Sequence, residues 1–431
     1  MSQTTTAAPA EESGVKTADE AARAPEVGTN LLGERLGGRT RLNSVDLLRG
    51  IVMVIMALDH VREFFHVSAT AFDPLDLTKT NTLLFFTRWV THFCAPTFVF
   101  LAGTGAFLST SRGKTKPELA RFLLTRGLWL ILLEMTLVRF GWFFNFDYHF
   151  MFMQVIWAIG CSMIVLAGLI FLPLRWVAAF GLLLIFAHNA FDSVRAQDAG
   201  GFRWLWVVLH ETNVVMPRPG MLVLMAYPLV PWVGVMAVGY AFGRLLLFER
   251  ERRRRILLQL GAASVALFLV LRATNIYGNP RPWTMQASGW FTFLSFINTL
   301  KYPPSLLYLL MTLGPAILAL ALFDRAPGKE PGRLARPFVV FGRVPMFYYL
   351  LHVPLIHLSA LAFAYVGGGP VGWLFRNWLI STPPDARPAE WGYGLPVVYA
   401  VWACVVVALY PLCRWFAGVK ARRRDAWLSY L

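Results

Sequence analysis

About ten apolar stretches, separated by loops that alternate between basic and nearly uncharged, leave this chain few folds to choose from. A helix rises 1.5 Å per residue, so about 20 apolar residues cross the roughly 30 Å of hydrocarbon in a bilayer. That length predicts helices near 46–66, 84–110, 119–144, 150–172, 174–193, 221–248, 256–275, 303–323, 338–366 and 394–418. The sixth and ninth are long enough to tilt or break. The expected fold is an all-α polytopic membrane protein with about ten transmembrane helices in one bundle.

Composition excludes the ordinary soluble enzyme: 57% of residues are hydrophobic, 15% are charged and the mean hydropathy is +0.53. The net charge of +16 does not imply nucleic acid, because the basic residues sit in short runs beside apolar segments without aromatic interleaving. Those runs assign sides. Arg112, Lys114 and Lys116, then Arg175, then Arg250 and the run 252–255, then Arg325, Lys329, Arg333 and Arg336 follow every second span, and Lys420 and Arg422, Arg423 and Arg424 close the chain. By the positive-inside rule these loops and both termini are cytoplasmic. The opposite loops, 194–220, 276–302 and 367–393, carry Trp204, Trp206, Trp283, Trp290 and Trp391, which suit an interfacial belt.

Residues 1–40 lack an apolar run and are expected to form a disordered cytoplasmic tail, followed by a membrane domain over 41–419 and a basic cytoplasmic end over 420–431. Cys94, Cys161, Cys404 and Cys413 stand singly in apolar surroundings and are expected to pack. No metal-ligand spacing and no phosphate-binding glycine loop stands out, and there is no clear internal repeat.

The first span, RLNSVDLLRGIVMVIMALDHVREFFH, is unusually polar. Charges inside a bilayer cost a few kcal/mol each, so several on one helix need partners or a wet cavity. Arg49 and His60 differ by roughly 20° in azimuth, and Asp46 and His60 by roughly 40°, so one face is polar. Roughly 16 Å separates Arg49 from His60 along the axis, which makes two stations. At the cytoplasmic mouth Arg49 can pair with Asp46 or face a phosphate. In the outer half, His60 can take a proton near neutral pH, with Asp59 adjacent to tune it, or can simply hydrogen-bond a neighbouring helix.

Arg62, Glu63 and His66 continue the polar run, and Asp73-Pro74 marks a turn in the outer loop. The second span places Arg88 and His92 on one face at i and i+4, level with His60. Glu134, Gln154, Arg343, Tyr348 and His352 are further polar positions within apolar spans. Glu134 is expected to pair with Arg139 or Arg126, and Asn145, Asp147 and His149 to form a solvated turn.

SVDLLRGIVMVIM followed by FCAPTFVFLAGT resembles the opening of the heparan-alpha-glucosaminide N-acetyltransferase-like proteins of a transmembrane acyltransferase superfamily. FMQVIWAIG, NTLKYPPSLLYLLMTLGP and FGRVPMFYYLLHVPLIH resemble later blocks of its bacterial branch, so the likeness runs from about residue 41 to the C-terminus. It implies an integral protein of the bacterial cytoplasmic membrane that moves an acetyl group from cytoplasmic acetyl-CoA, as co-substrate with no permanently bound cofactor, to an extracytoplasmic carbohydrate or envelope acceptor. In the animal enzymes an Asn closes the first span and a catalytic His follows in the outer loop. Counted from Arg49-Gly50, His60 takes the place of that Asn, and His66 is nearest to the catalytic His in loop order. The base is therefore divided between His60 and His66. Arg88 or His92 would donate to the oxyanion, and Arg49 with the basic loops would anchor CoA. Asp46, Gln154, Tyr348 and His352 complete the candidate binding residues. The expected partners are the bilayer, the acyl donor and the acceptor, with no nucleic acid; a homodimer stays open. The same charges would also suit a transporter or exporter of a small polar solute, and a scaffold without its own ligand fits them poorly.

Overall fold

The computed structural model describes residues 35–36, 39–40, 42–69, 71–111, 113–324, 332–380, 387–423 and 425–430. Most of the expected tail, together with Arg112, Arg325, Lys329 and Arg424, lies outside the described residues. What is described of the tail is a two-residue ladder, β1 (Arg35–Leu36) against β2 (Arg39–Thr40).

The rest is mostly helical. The long helices are α1 (Asn43–Phe65), α2 (Thr82–Thr110), α3 (116–143), α4 (Val155–Leu169), α5 (Leu174–Phe191), α7 (Leu229–Leu247), α8 (Arg250–Thr274), α10 (Leu306–Phe323), α12 (Pro345–Val366) and α13 (Leu395–Arg422). Short helices α6 (Arg203–Leu209), α9 (Gly289–Ile297) and α11 (Arg336–Arg343) lie between them. Among the described residues seven of these helices are long and apolar enough to cross a membrane: α2, α5, α7, α8, α10, α12 and α13. Helices α1 and α3 have the length, but they carry Asp46, Arg49, Asp59, Arg62 and Glu63, and Arg126, Glu134 and Arg139.

The helix ends follow local chemistry. Asn81 Oδ1 accepts the Leu84 amide at 2.9 Å to start α2, and Thr115 with Glu118 forms a reciprocal capping box at α3. Ser305 Oγ accepts the Tyr308 amide at 3.1 Å to start α10. The expected ninth span does break: the chain leaves helical geometry at Val344, and Pro345, which lacks an amide proton, opens α12.

Two expected spans are shortened by strands. Residues Phe150–Met153 form β3 and Leu222–Met225 form β5, paired in parallel, with β4 (Asn213–Val215) antiparallel on the other edge of β5. A hydropathy window cannot separate a short buried strand from the first turns of a helix. Pairing satisfies the backbone of these segments without water, which is what buried non-helical chain requires.

Helix α1 lies at the centre, against α2, α10, α11, α12 and α13. Since apolar side chains gain little by leaving lipid for each other, close backbone approach carries much of the association. At the α1–α11 crossing, a Cβ on Gly50 would lie 1.7 Å from the Phe338 carbonyl oxygen, and one on Gly342 would lie 1.8 Å from that of Asp46. Only glycine permits that contact, and it sets the basic residues of α11 beside the start of α1.

Candidate active site

The polar stripe of α1 meets two different environments. At the end carrying the basic loops, Arg49 donates to Asp46 Oδ1 at 3.4 Å and to the Gly342 carbonyl at 3.2 Å, while Arg343 Nε lies 3.9 Å from Asp46 Oδ2. These groups edge a cavity of about 530 Å³ between α1, α2, α3, α4 and the start of α12. Its mouth holds Arg49, Lys114, Arg126, Arg343 and Lys420 against one carboxylate, Asp46. The rest of the lining is largely apolar, with Met53, Leu101, Ile156 and Met163, and includes Tyr349.

Tyr349 leads to the second station. Its ring centroid lies 5.2 Å from that of His352, and His352 Nε2 lies 2.8 Å from His60 Nδ1. The tautomers of this pair follow from the backbone. His352 Nδ1 is 2.7 Å from the Tyr349 carbonyl, which can only accept, so Nδ1 carries the proton and Nε2 offers its lone pair. His60 must then donate from Nδ1, which leaves its Nε2 as a lone pair with no partner among the described residues. His60 is half-buried, whereas His352 and Trp142, whose ring meets His60 edge-on at 5.1 Å, are fully buried. A neutral imidazole with a fixed proton on one nitrogen and an open lone pair on the other is what a general base requires.

Asp59 points away from that pair, as adjacent helix positions diverge by about 100°. Its Oδ1 accepts from Arg62 Nη2 at 3.1 Å and its Oδ2 from Arg88 Nη1 at 2.5 Å, tying α1 to α2. Arg88 also donates to Thr91 Oγ1 at 3.1 Å. His92, one turn on, is fully buried beside Tyr308, with ring centroids 5.2 Å apart, and neither of its ring nitrogens has a hydrogen-bond partner among the described residues. His66 sits elsewhere. It ends α1, its Nδ1 accepts the Ser68 amide at 3.1 Å, and its carbonyl accepts from Arg387 at 2.7 Å. Burial, and then the nearby Arg62 charge, push the Arg387 guanidinium down to about 10. Of the remaining candidates, Tyr348 stacks on His352 with centroids 5.4 Å apart, and Gln154 is buried at the start of α4.

One sequence expectation changes. Glu134 meets neither Arg126 nor Arg139: its Oε2 accepts the Trp157 amide at 3.0 Å, so it caps the exposed donors of α4 from a π-helical turn of α3. Arg139 is engaged instead with the turn that follows, donating to the Asn145 carbonyl at 2.6 Å and Asn377 Oδ1 at 3.0 Å. Asn145 and Asp147 are also hydrogen-bonded to the 372–378 segment, while Asp147 and His149 stay exposed, as expected of a solvated turn.

The structure also adds residues that the spans concealed. Lys301 lies within Coulombic reach of Asp59, His60, Glu63 and His92, and its ammonium stands 5.0 Å from the Tyr302 ring. The signal was a lysine in a loop otherwise poor in Lys, next to Tyr-Pro-Pro.

The catalytic family described as heparan-alpha-glucosaminide N-acetyltransferase matches residues 41–277. That segment runs from the start of α1 past α8 and contains His60, Arg88, His92 and Gln154, while Lys301 and His352 lie beyond it. No curated protein matches the chain.

Proposed function

Because the chain belongs to the heparan-alpha-glucosaminide N-acetyltransferase catalytic family, we propose that it is a transmembrane acetyltransferase working from acetyl-CoA to a carbohydrate or envelope acceptor. Acetyl-CoA enters at the basic end, which the positive-inside rule assigns to the cytoplasm, and the acceptor meets it at the tryptophan-rich end. The observation that carries this reading is the His60–His352 pair, one ring beyond the inner end of a cavity with a cationic mouth and an apolar interior. The CoA phosphates suit Arg49, Lys114, Arg126, Arg343 and Lys420, and the pantetheine arm suits the apolar wall. Roughly 16 Å of α1 separates Arg49 from His60, a distance for an extended arm and not for a side chain to bridge.

In the reaction, His60 Nε2 takes the proton of the acceptor hydroxyl or amine as its oxygen or nitrogen bonds to the acetyl carbonyl carbon. The carbon–sulfur bond then breaks, and the CoA thiolate leaves and takes the proton back from the imidazolium. Asp59, Arg62 and Arg88 hold α1 and α2 in register around the base. The part given to His66 in the sequence passes to His60, since the Nδ1 of His66 is occupied by its own turn.

The test is thermal unfolding of the detergent-solubilised protein with acetyl-CoA or a matched adenine nucleotide, followed by transfer from labelled acetyl-CoA to an envelope extract. A ligand at a hundredfold excess over Kd adds about 2.7 kcal/mol. Selective stabilisation and a labelled acceptor lost in His60→Ala support the reading. Equal stabilisation by the nucleotide, or unchanged transfer in His60→Ala, overturns it.

A further inference from the structure

Three cations, Arg62, Arg88 and Lys301, surround two carboxylates, Asp59 and Glu63, at the station next to His60. The two arginines are satisfied by Asp59, Glu63 and Thr91. Lys301 is different. It is only 7% exposed, yet among the described residues no carboxylate or carbonyl accepts from its ammonium, and its close neighbour is the Tyr302 ring. His92 is fully buried with both ring nitrogens unpartnered, and it too lies within reach of Lys301 and Arg88. A buried cation without acceptors, which itself leaves the cluster with one positive charge in excess, is costly unless something supplies negative charge and lone pairs.

The Lys301 segment is built to stay in place. The Leu300 amide donates to Asn279 Oδ1 at 2.9 Å, Asn298 Nδ2 donates to the Leu75 carbonyl at 3.0 Å, and Tyr308 Oη donates to the His92 carbonyl at 2.8 Å. These contacts fix the segment while the Lys301 ammonium has no acceptor among the described residues, which is the pattern of a binding group held ready.

We propose that Lys301, with His92 beside it, forms an anion subsite that selects acceptors bearing a carboxylate or phosphate near the hydroxyl or amine to be acetylated. This rests on the acetyltransferase reading, and it narrows the acceptor to an acidic or phosphorylated sugar. The anion docks on the ammonium and brings the neighbouring nucleophile under His60 Nε2. Specificity arises because a neutral sugar leaves the lysine unpaired.

The experiment uses the full chain in detergent and follows thermal unfolding with glucuronate, a hexose 1-phosphate or glucose, each with and without acetyl-CoA. The basic cavity at the other end could also take an anion, so Arg126→Gln accompanies Lys301→Gln and Lys301→Arg. The expected result is stabilisation by one or both acidic sugars and none by glucose. That stabilisation weakens at least tenfold in apparent affinity in Lys301→Gln, and persists in Lys301→Arg and Arg126→Gln. A carboxylate source and a phosphate source are told apart by which sugar shifts the midpoint. Equal behaviour of glucose and the acidic sugars in the unaltered protein overturns the proposal without recourse to any variant, as does loss in Arg126→Gln alone. If acetyl-CoA stabilises while the anions do not, the subsite fails and the transferase reading stands. The opposite outcome sinks the transferase reading alone.

Discussion

The sharpest consequence of the histidine pair concerns His352, which touches neither end of the reaction. Replacing it with Phe keeps the ring stacked on Tyr348 and beside His60, whose centroids lie 5.4 and 4.9 Å away, and removes the acceptor nitrogen. His60 Nδ1–H then loses its partner, at a cost of about 1–3 kcal/mol for a buried unsatisfied donor. The ring can escape by moving its proton to Nε2, the atom that must be bare to act as base. That energy converts to a loss of roughly 5- to 150-fold in the reactive tautomer. In steady-state transfer from acetyl-CoA, kcat should fall by this factor in His352→Phe with KM for acetyl-CoA unchanged, because His352 does not line the cavity. His352→Gln, whose side-chain carbonyl can accept, should recover part of the rate. His60→Ala should lose more, on the order of 10²- to 10⁴-fold. Protonation of His60 removes the base, so activity should be lost as pH falls, at a lower plateau in His352→Phe. Full kcat in His352→Phe alongside an inactive His60→Ala would falsify the tautomer argument, and a change confined to KM would reduce His352 to packing.

Two further outcomes follow from the cavity and the α1–α11 crossing. Arg126→Gln should weaken acetyl-CoA binding by about 1.5–3 kcal/mol, the worth of one charge-assisted hydrogen bond, with kcat retained; an unchanged titration midpoint would remove Arg126 from the phosphate site. Gly50→Ala drives a Cβ to 1.7 Å from a backbone oxygen and should destabilise by about 1–3 kcal/mol or more, whereas Gly105→Ala, with nothing within 4 Å, should be neutral or slightly stabilising. Thermal midpoints of the two variants in one detergent check the pair, and equal midpoints would refute the close crossing.

What was legible in the sequence followed from periodicity and length. The polar stripe of α1, the Asp46–Arg49 pairing and the break near the ninth span needed only helical geometry and a proline. What was hidden depends on partners distant in sequence. His60 and His352 are 292 residues apart, and nothing local marks one as the acceptor of the other. The i and i+4 spacing of Arg88 and His92 suggested a shared task, but Arg88 turns to Asp59 and His92 packs on Tyr308. Strands β3 and β5 read as helix because apolar residues suit both when buried. Glu134 offered two arginines within one or two turns, yet it is the backbone of α4 that claims it.

The charges around α1 separate into those that hold the fold and those that wait for a ligand, and the separation is measurable. Asp59 receives Arg62 and Arg88 at 3.1 and 2.5 Å, so Asp59→Asn leaves the buried Arg88 guanidinium without its counter-charge and Arg62 with Glu63 alone. Removing one partner of a buried pair costs about 3–5 kcal/mol. Lys301 has no acceptor among the described residues, so Lys301→Gln breaks no hydrogen bond and trades its contact with the Tyr302 ring and its attraction to Asp59 for relief of one excess positive charge. Its stability should lie within about 1 kcal/mol of the parent or above it. Thermal unfolding without ligand should therefore rank Asp59→Asn well below the parent and Lys301→Gln level with it, although both remove a buried charge from the cluster beside the same histidine. The reverse order would mean that Lys301 is part of the scaffold, and that the excess charge beside His60 is compensated within the folded chain.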